Sequence, residues 1–444
     1  MRSRVLWRRV ATALGIYAAH GLGIVGTLIA ARALGTGGFG RLALVIGFVA
    51  FFQLLLDFTS EEALVKFGFR YSEREDWGRF RRLLALTAAF KTGSSLVSGG
   101  IVAALAPFAD TIFSSHGLTK PMLLAALLPP LQSMEGLAAS ALILRSRYDL
   151  RAGFLSLGNV LRLAAIAATA SHGVLATVLG LVVAQATTTL VILIVAGAGL
   201  LRLPQAKGLG TPLGEDRRTI VQFVLHSTVG TGIVSLRGWI APLLLGVVQT
   251  DSQVGLFKAA QAPQTGFAAL SSPVRLILLT EQTRDWERGK PEVVLRGIKR
   301  YTFGAAALMI VVVGPLIALM PWFVHVFLTD EYQGAVNPAR LILVAAAIQL
   351  VFGWSKSFPV SIGRPGLRIV AHGIETLALI PLLLLLGARY GATGASGAVL
   401  GSTIVFAAVW AVMLLRIRRG GLLTVRAPDL PPELRPAVNE VVSP

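Results

Sequence analysis

Seven basic residues fall inside long apolar stretches: Lys66, Lys91, Arg162, Arg237, Lys258, Arg275 and Lys356. A cation in hydrocarbon costs about 2.5–3.5 kcal/mol on insertion scales, so it faces a partner or water. Arg162 lies about 15 Å into its stretch at 1.5 Å per residue, close to a bilayer midplane. Lys91 is about 12 Å in by the same rise, and Arg237 about nine residues from the far end of its stretch. These three are too deep to snorkel. Lys66, Lys258, Arg275 and Lys356 lie near stretch ends, where a long stem carries the charge to the interface. Several cations facing one wet chamber with low-dielectric walls would hold an anion strongly. The planar guanidinium fork suits phosphate oxygens. The expected chemistry is therefore phosphate or pyrophosphate binding, with Arg162, Arg237, Lys91, Lys258 and Arg275 as candidates.

The acidic residues in the same stretches are Asp57, Glu61, Glu62, Glu135 and Glu375. Asp57, Glu61 and Glu62 cluster at one end, where Glu61 can pair with Lys66 or face water. Glu135 and Glu375 are deep. Each either neutralises a buried cation or titrates during a transport cycle. Asp57, Glu61, Glu135 and Glu375 are the candidates for these roles.

Other motifs mislead. Gly21-Gly23-Gly26 and Gly35-Gly37-Gly40 match G-x-G-x-x-G. That fingerprint needs a strand before it and a helix after it. The first match lies in an apolar helix and the second in a short turn. No Walker A sequence is present, which excludes ATP hydrolysis by a P-loop. The six histidines are scattered without metal-ligand spacing, so no metal or other cofactor is expected. His20 and His226 sit deep enough to line a cavity. The absence of cysteine excludes disulfides and thiolate chemistry.

The positioning elements are membrane helices. Of 444 residues, 54% are hydrophobic and only 14% charged; the mean hydropathy is +0.71. Segments of about 20 apolar residues span a bilayer, and lipid requires every backbone group to be satisfied internally. Twelve spans are expected: 11–31, 42–66, 83–106, 121–143, 153–171, 174–201, 220–246, 253–279, 302–325, 338–360, 367–387 and 394–415. The runs do not alternate as barrel strands would. Prolines at 107, 129, 130, 242, 263, 273, 315 and 381 should kink or break helices. Glycine and alanine favour close helix approach and sliding.

The net charge of +19 follows topology rather than nucleic-acid binding. With a cytoplasmic amino terminus, the inside segments hold 29 Lys and Arg and the outside segments 5. That bias places both ends in the cytoplasm and requires an even number of spans. The basic start and long first apolar run are expected to be a retained helix, not a cleaved signal. The Pro- and Gly-rich loop around 206–219 divides the chain into a six-helix lobe at 1–205 and another at 220–415. A disordered cytoplasmic tail is expected at 416–444. The halves echo each other: Gly40-Arg41-Leu42-Ala43 against Gly255-Leu256-Phe257-Lys258-Ala259, and Arg147 and Arg151 against Arg364 and Arg368. Two parallel repeats place a substrate site at their interface.

Three stretches carry a family resemblance: Ala31-Arg32-Ala33-Leu34-Gly35 followed by Gly38-Phe39-Gly40-Arg41-Leu42-Ala43-Leu44; Leu56-Asp57-Phe58 through Glu62-Ala63-Leu64-Val65-Lys66-Phe67; and Gly363-Arg364-Pro365. The chain resembles the oligosaccharide or O-antigen flippases of the multidrug/oligosaccharidyl-lipid/polysaccharide (MOP) exporter superfamily. Thr59 stands where glycine is common in that family. The resemblance implies an all-α membrane protein with a V-shaped cavity between two six-helix lobes. It also implies transport of a polyprenyl-pyrophosphate-linked oligosaccharide between leaflets of the cytoplasmic (inner) membrane, for cell-surface or lipopolysaccharide synthesis. Implied partners are the lipid-linked oligosaccharide, membrane lipid and a polysaccharide polymerase or chain-length machinery, with no nucleic acid. It carries over no individual binding residue. A cation antiporter of the same superfamily would favour acidic cavity residues, which the deep basic residues here at least match. A membrane polymerase or glycosyltransferase would need a sizeable extramembrane loop, and the outside loops are short.

Overall fold

The computed structural model describes residues 2–56, 60–144, 147–201, 210–266, 278, 281–286, 288–364 and 366–419. The described residues are mostly helical, and no strand occurs among them. The principal helices are α1 (Arg2–Leu56), α2 (Ser60–Glu73), α3 (Trp77–Leu105), α4 (Thr119–Ala125), α5 (Leu128–Leu144), α6 (Tyr148–Thr169) and α7 (Val174–Leu201). In the second half are α8 (Asp216–Val248), α9 (Asp251–Ala260), α10 (Pro291–Phe327), α11 (Val336–Val351) and α12 (Gly366–Arg419). Eight stretches of the described residues are helical, long and apolar enough to cross a membrane.

Two of those stretches are hairpins. Gly35 interrupts α1 with φ 66° and ψ 177°, and Gly391 interrupts α12 with φ 57° and ψ −135°. In a straight helix Gly23 and Ile46 would stand about 35 Å apart, yet both line one cavity. In α12 the rings of His372 and Phe406 stack at 4.9 Å between centroids. The chain therefore folds back at each glycine, where a left-handed φ is free of Cβ strain. The expected loop between spans 11–31 and 42–66 narrows to this one residue.

Other boundaries also move. The span expected at 121–143 is broken between α4 and α5, and Pro129 and Pro130 fall in the first turn of α5, where a missing N–H costs nothing. Pro242, Pro315 and Pro381 stay inside continuous helices. The span expected at 338–360 ends at Val351 and continues as short turns, Gly353–Lys356 and Phe358–Ser361. Helix α12 runs through Arg419, past the expected start of the tail at 416; residues 420–444 lie outside the described set, as do 206–209 of the linker.

Aliphatic side chains facing outward mark the lipid surface. Ile310 is 75% exposed, Val311 70% and Leu377 71%, positions that only a hydrocarbon solvent rewards. The core is shared between the halves of the chain and includes Leu44, Leu118, Leu245, Phe257 and Leu343. Helix α1 packs on α6 and α9, and α8 on α12. The chain is an all-α, multi-pass membrane protein.

The tightest crossing joins α1 to α9. A Cβ added at Gly40 would lie 1.8 Å from the Asp251 carbonyl oxygen, and one at Gly255 2.0 Å from that of Thr36. These are the two glycines that the sequence echo pairs, and they meet backbone to backbone. Valine at either position should force the helices apart, at about 1–3 kcal/mol. Gly40→Val and Gly255→Val are expected to lower the thermal midpoint in detergent. Gly37→Ala, with nothing within 4 Å of its Cβ, should leave it unchanged. Wild-type melting in both valine variants would refute the close crossing.

Candidate substrate cavity

A cavity of about 730 Å³ opens between the two halves of the chain. Both arms of α1 line it, together with residues of α6, α7, α8, α9, α11 and α12, the stretch just after α9 and the turn at Gly353–Lys356. Three cations face it: Arg162 from α6, Lys258 from α9 and Lys356 from the turn. No Asp or Glu is among its described lining residues.

Arg162 sits deep among protein atoms, yet its side chain is open to the cavity. Among the described residues it makes no ion pair or hydrogen bond. Its charge acts on Lys258 across the cavity. The Lys258 ammonium donates to Gln261 Oε1 at 3.3 Å and stands 5.5 Å from the centre of the Trp239 ring. Neither contact cancels its charge. His372 lines the wall, and its Nδ1 lies 2.9 Å from Oε2 of Glu375, which is buried.

Arg162 also lines an adjoining cavity of about 370 Å³ with Glu135, Gln185, Asn159 and Trp239. There the Gln185 amide donates to the Glu135 carboxylate and to Thr189 Oγ1.

The remaining candidates scatter. Lys91 does not line either cavity: it is buried, with its ammonium 2.9 Å from Glu61 Oε1. The expectation that Lys91 shares the chamber with Arg162 is corrected by this pair. Glu61 was expected to meet Lys66 or water, but Lys66 instead stands over the Phe223 ring at 4.2 Å. Glu375 is buried, and its Oε2 lies 2.9 Å from His372 Nδ1. Arg275 and Asp57 lie outside the described residues, as do the side chains of Arg237, His20 and His226. Lys258 and Lys356, expected to snorkel, point inward. Depth counted along a sequence gives the distance to an interface but not the helix face, and the α9 crossing and the break after Val351 set those faces. The uncharged members, among them Trp239, Gln261 and Gln349, escaped a census of charges. Their only sequence signal was polarity within an apolar stretch.

Contacts between the halves flank the cavity at both ends. Near Gly35, the Glu331 carboxylate accepts from the Thr36 amide at 3.0 Å and its hydroxyl at 2.6 Å. Ser252 donates to Thr36 Oγ1 at 2.8 Å, and Tyr332 donates to the Ala31 carbonyl at 2.9 Å. Ser115 donates to Asp251 Oδ2 at 2.7 Å. Burial pushes the Asp251 carboxyl up, while Ser115 and Arg41 pull it down. At the other end Tyr71 donates to Asp216 at 2.9 Å and Arg79 lies 3.4 Å from the same carboxylate. Burial and the bond to Asp216 push the Tyr71 phenol up to about 12, so it remains a donor at neutral pH.

Residues 8–271 match the family profile described as polysaccharide biosynthesis protein. No curated protein sequence matches the chain. Among solved structures the chain is similar to lipid II flippase MurJ in an inward closed conformation, at TM-score 0.69 and 12% identity over 91% of this chain and 87% of that one. It is also similar to a multidrug resistance MATE family transporter of the MOP superfamily. The inward-facing form gives TM-score 0.66 and 13% identity over 92% of this chain and 95% of that one. The outward-facing form gives 0.62 and 14% over 94% and 96%. These likenesses establish the fold, and the sequence match establishes the kinship: the chain belongs to the polysaccharide biosynthesis protein family.

Proposed function

We propose that the protein is a flippase that moves a polyprenyl-pyrophosphate-linked oligosaccharide from the inner to the outer leaflet of the cytoplasmic membrane, for export of cell-surface polysaccharide. The carrying observation is the larger cavity: three cations face it and no described carboxylate does. Such a chamber attracts a diphosphate and repels the cationic cargo of a drug antiporter. The planar fork of Arg162 engages phosphate oxygens, and Lys258 and Lys356 add charge around it. The polyprenyl tail stays in the surrounding lipid while the headgroup crosses through the wet chamber. Membership of a polysaccharide family supports a glycan cargo.

The two lobes, 1–205 and 220–415, would rock about the α1–α9 crossing, as parallel repeats around a central site allow. Release of the contacts at one end and closure at the other exposes the cavity to each leaflet in turn. The Lys and Arg bias supports a cytoplasmic location for both termini. The Gly35 end then faces outward. Glu135, Glu375 and the pairs they make are the groups available to couple transport to an ion gradient.

Deleting the gene is expected to accumulate lipid-linked oligosaccharide in the inner leaflet, measured by extraction and mass spectrometry. The wild-type gene should clear the pool. Arg162→Ala should not clear it at normal membrane abundance. A pool indifferent to deletion would refute the flippase reading; clearance by Arg162→Ala at the wild-type rate would refute the anion site. Lys91→Met serves as a contrast. Breaking its pair with Glu61 strands a partly buried carboxylate and should cost stability. The folded fraction is expected to bind pyrophosphate normally, as competition with a labelled analogue would show.

A further inference from the structure

The smaller cavity differs in chemistry from the larger one. Its polar lining includes Gln53, Gln132, Gln185, Asn159 and Glu135, besides Thr188, whose hydroxyl donates to the Ala184 carbonyl, with Trp239 as its aromatic wall. Arg162 is the cation of this lining, and Arg162, Asn159 and Trp239 belong to both cavities. We infer that the smaller cavity is a saccharide subsite that grips the phosphate-proximal sugar while the diphosphate occupies the larger one.

Four side-chain amides and one carboxylate present donors and acceptors together, which is what a ring of hydroxyls requires. A second phosphate would meet the Glu135 carboxylate and be repelled. An aliphatic chain would leave the remaining donors and acceptors of these groups facing hydrocarbon, at a cost. The indole of Trp239 offers an apolar face to the C–H side of a sugar ring. At about 370 Å³ the space falls within the usual range for small ligands, about 300–1,000 Å³. The subsite is partly organised in advance. Gln185 donates to Glu135 and Thr189, and Thr189 in turn donates to the Leu131 carbonyl at 3.0 Å. Groups held in place before binding lose less freedom when the ligand arrives. Arg162 on the shared wall fixes the register, because the first sugar is the one bonded to the diphosphate. Selection would therefore act on that sugar and on uncharged rings, hexose or N-acetylhexosamine. More distal sugars would extend into the larger cavity unread.

This inference rests on the flippase reading, and one experiment separates the two. Full-length protein in detergent is titrated by calorimetry with a short isoprenyl pyrophosphate, and with the same lipid carrying one hexose or one N-acetylhexosamine. One of the sugar-bearing ligands is expected to bind about tenfold tighter or better, the worth of one or two added hydrogen bonds. Gln185→Leu and Gln132→Leu should each erase most of that advantage and leave affinity for the bare pyrophosphate unchanged. The second variant spares the Gln185–Glu135 bond, so it reads the subsite without stranding the carboxylate, and retained binding of the bare lipid reports an intact fold. Equal affinity for bare and sugar-bearing lipids in the wild type would overturn the subsite and leave the anion site standing. So would a full sugar preference in both leucine variants. Failure of the wild type to bind any of the ligands would overturn both readings.

Discussion

The close approach of Gly40 and Gly255 organises the rest of the molecule. Two backbones touch where any side chain would collide with a carbonyl oxygen. In lipid there is little hydrophobic gain from bringing helices together, so such contacts depend on small residues and fitted surfaces. Each glycine is followed three residues later by a cavity residue, Ala43 in α1 and Lys258 in α9. Residues three apart share a helix face. Fixing the crossing therefore also fixes the direction in which Lys258 points.

Arg162 brings to the cavity a charge that no described residue pairs with. Lys91 shows the alternative outcome, since its charge is met by Glu61 within the first half of the chain. Arg162 has no such partner among the described residues. An uncompensated guanidinium in a low-dielectric setting persists only with water or a ligand anion near it. On the proposed reading, an anionic headgroup would relieve that unfavourable electrostatic state. The neighbouring amides and indole add shape and hydrogen-bond direction, which point charges lack.

The polar contacts at the two ends of the cavity are carboxylates accepting from hydroxyls, an amide and a guanidinium, beside apolar packing across the halves such as Phe67 on Phe223. Links of this kind can exchange for water at modest cost, because each is worth about 0.5–1.5 kcal/mol net. Apolar packing across the halves supplies the rest of the hold.

Much of this was legible in the chain itself. Hydropathy determined that the protein is helical and membrane-spanning, because lipid leaves the backbone no other choice within such long apolar runs. Arg162 stood out because a cation at the midplane is expensive anywhere. The paired glycines were visible as an echo, though not as a contact. Tertiary structure alone decided the partners. Whether Lys91 faces a chamber or a carboxylate depends on α2 and α3 lying side by side, which no local pattern encodes. Lys258 and Lys356 joined the cavity because helices cross, bend and break at particular residues, turning faces that a linear count cannot assign. Sequence sets the cost of placing each group in the membrane; only the packed helices determine which group answers it.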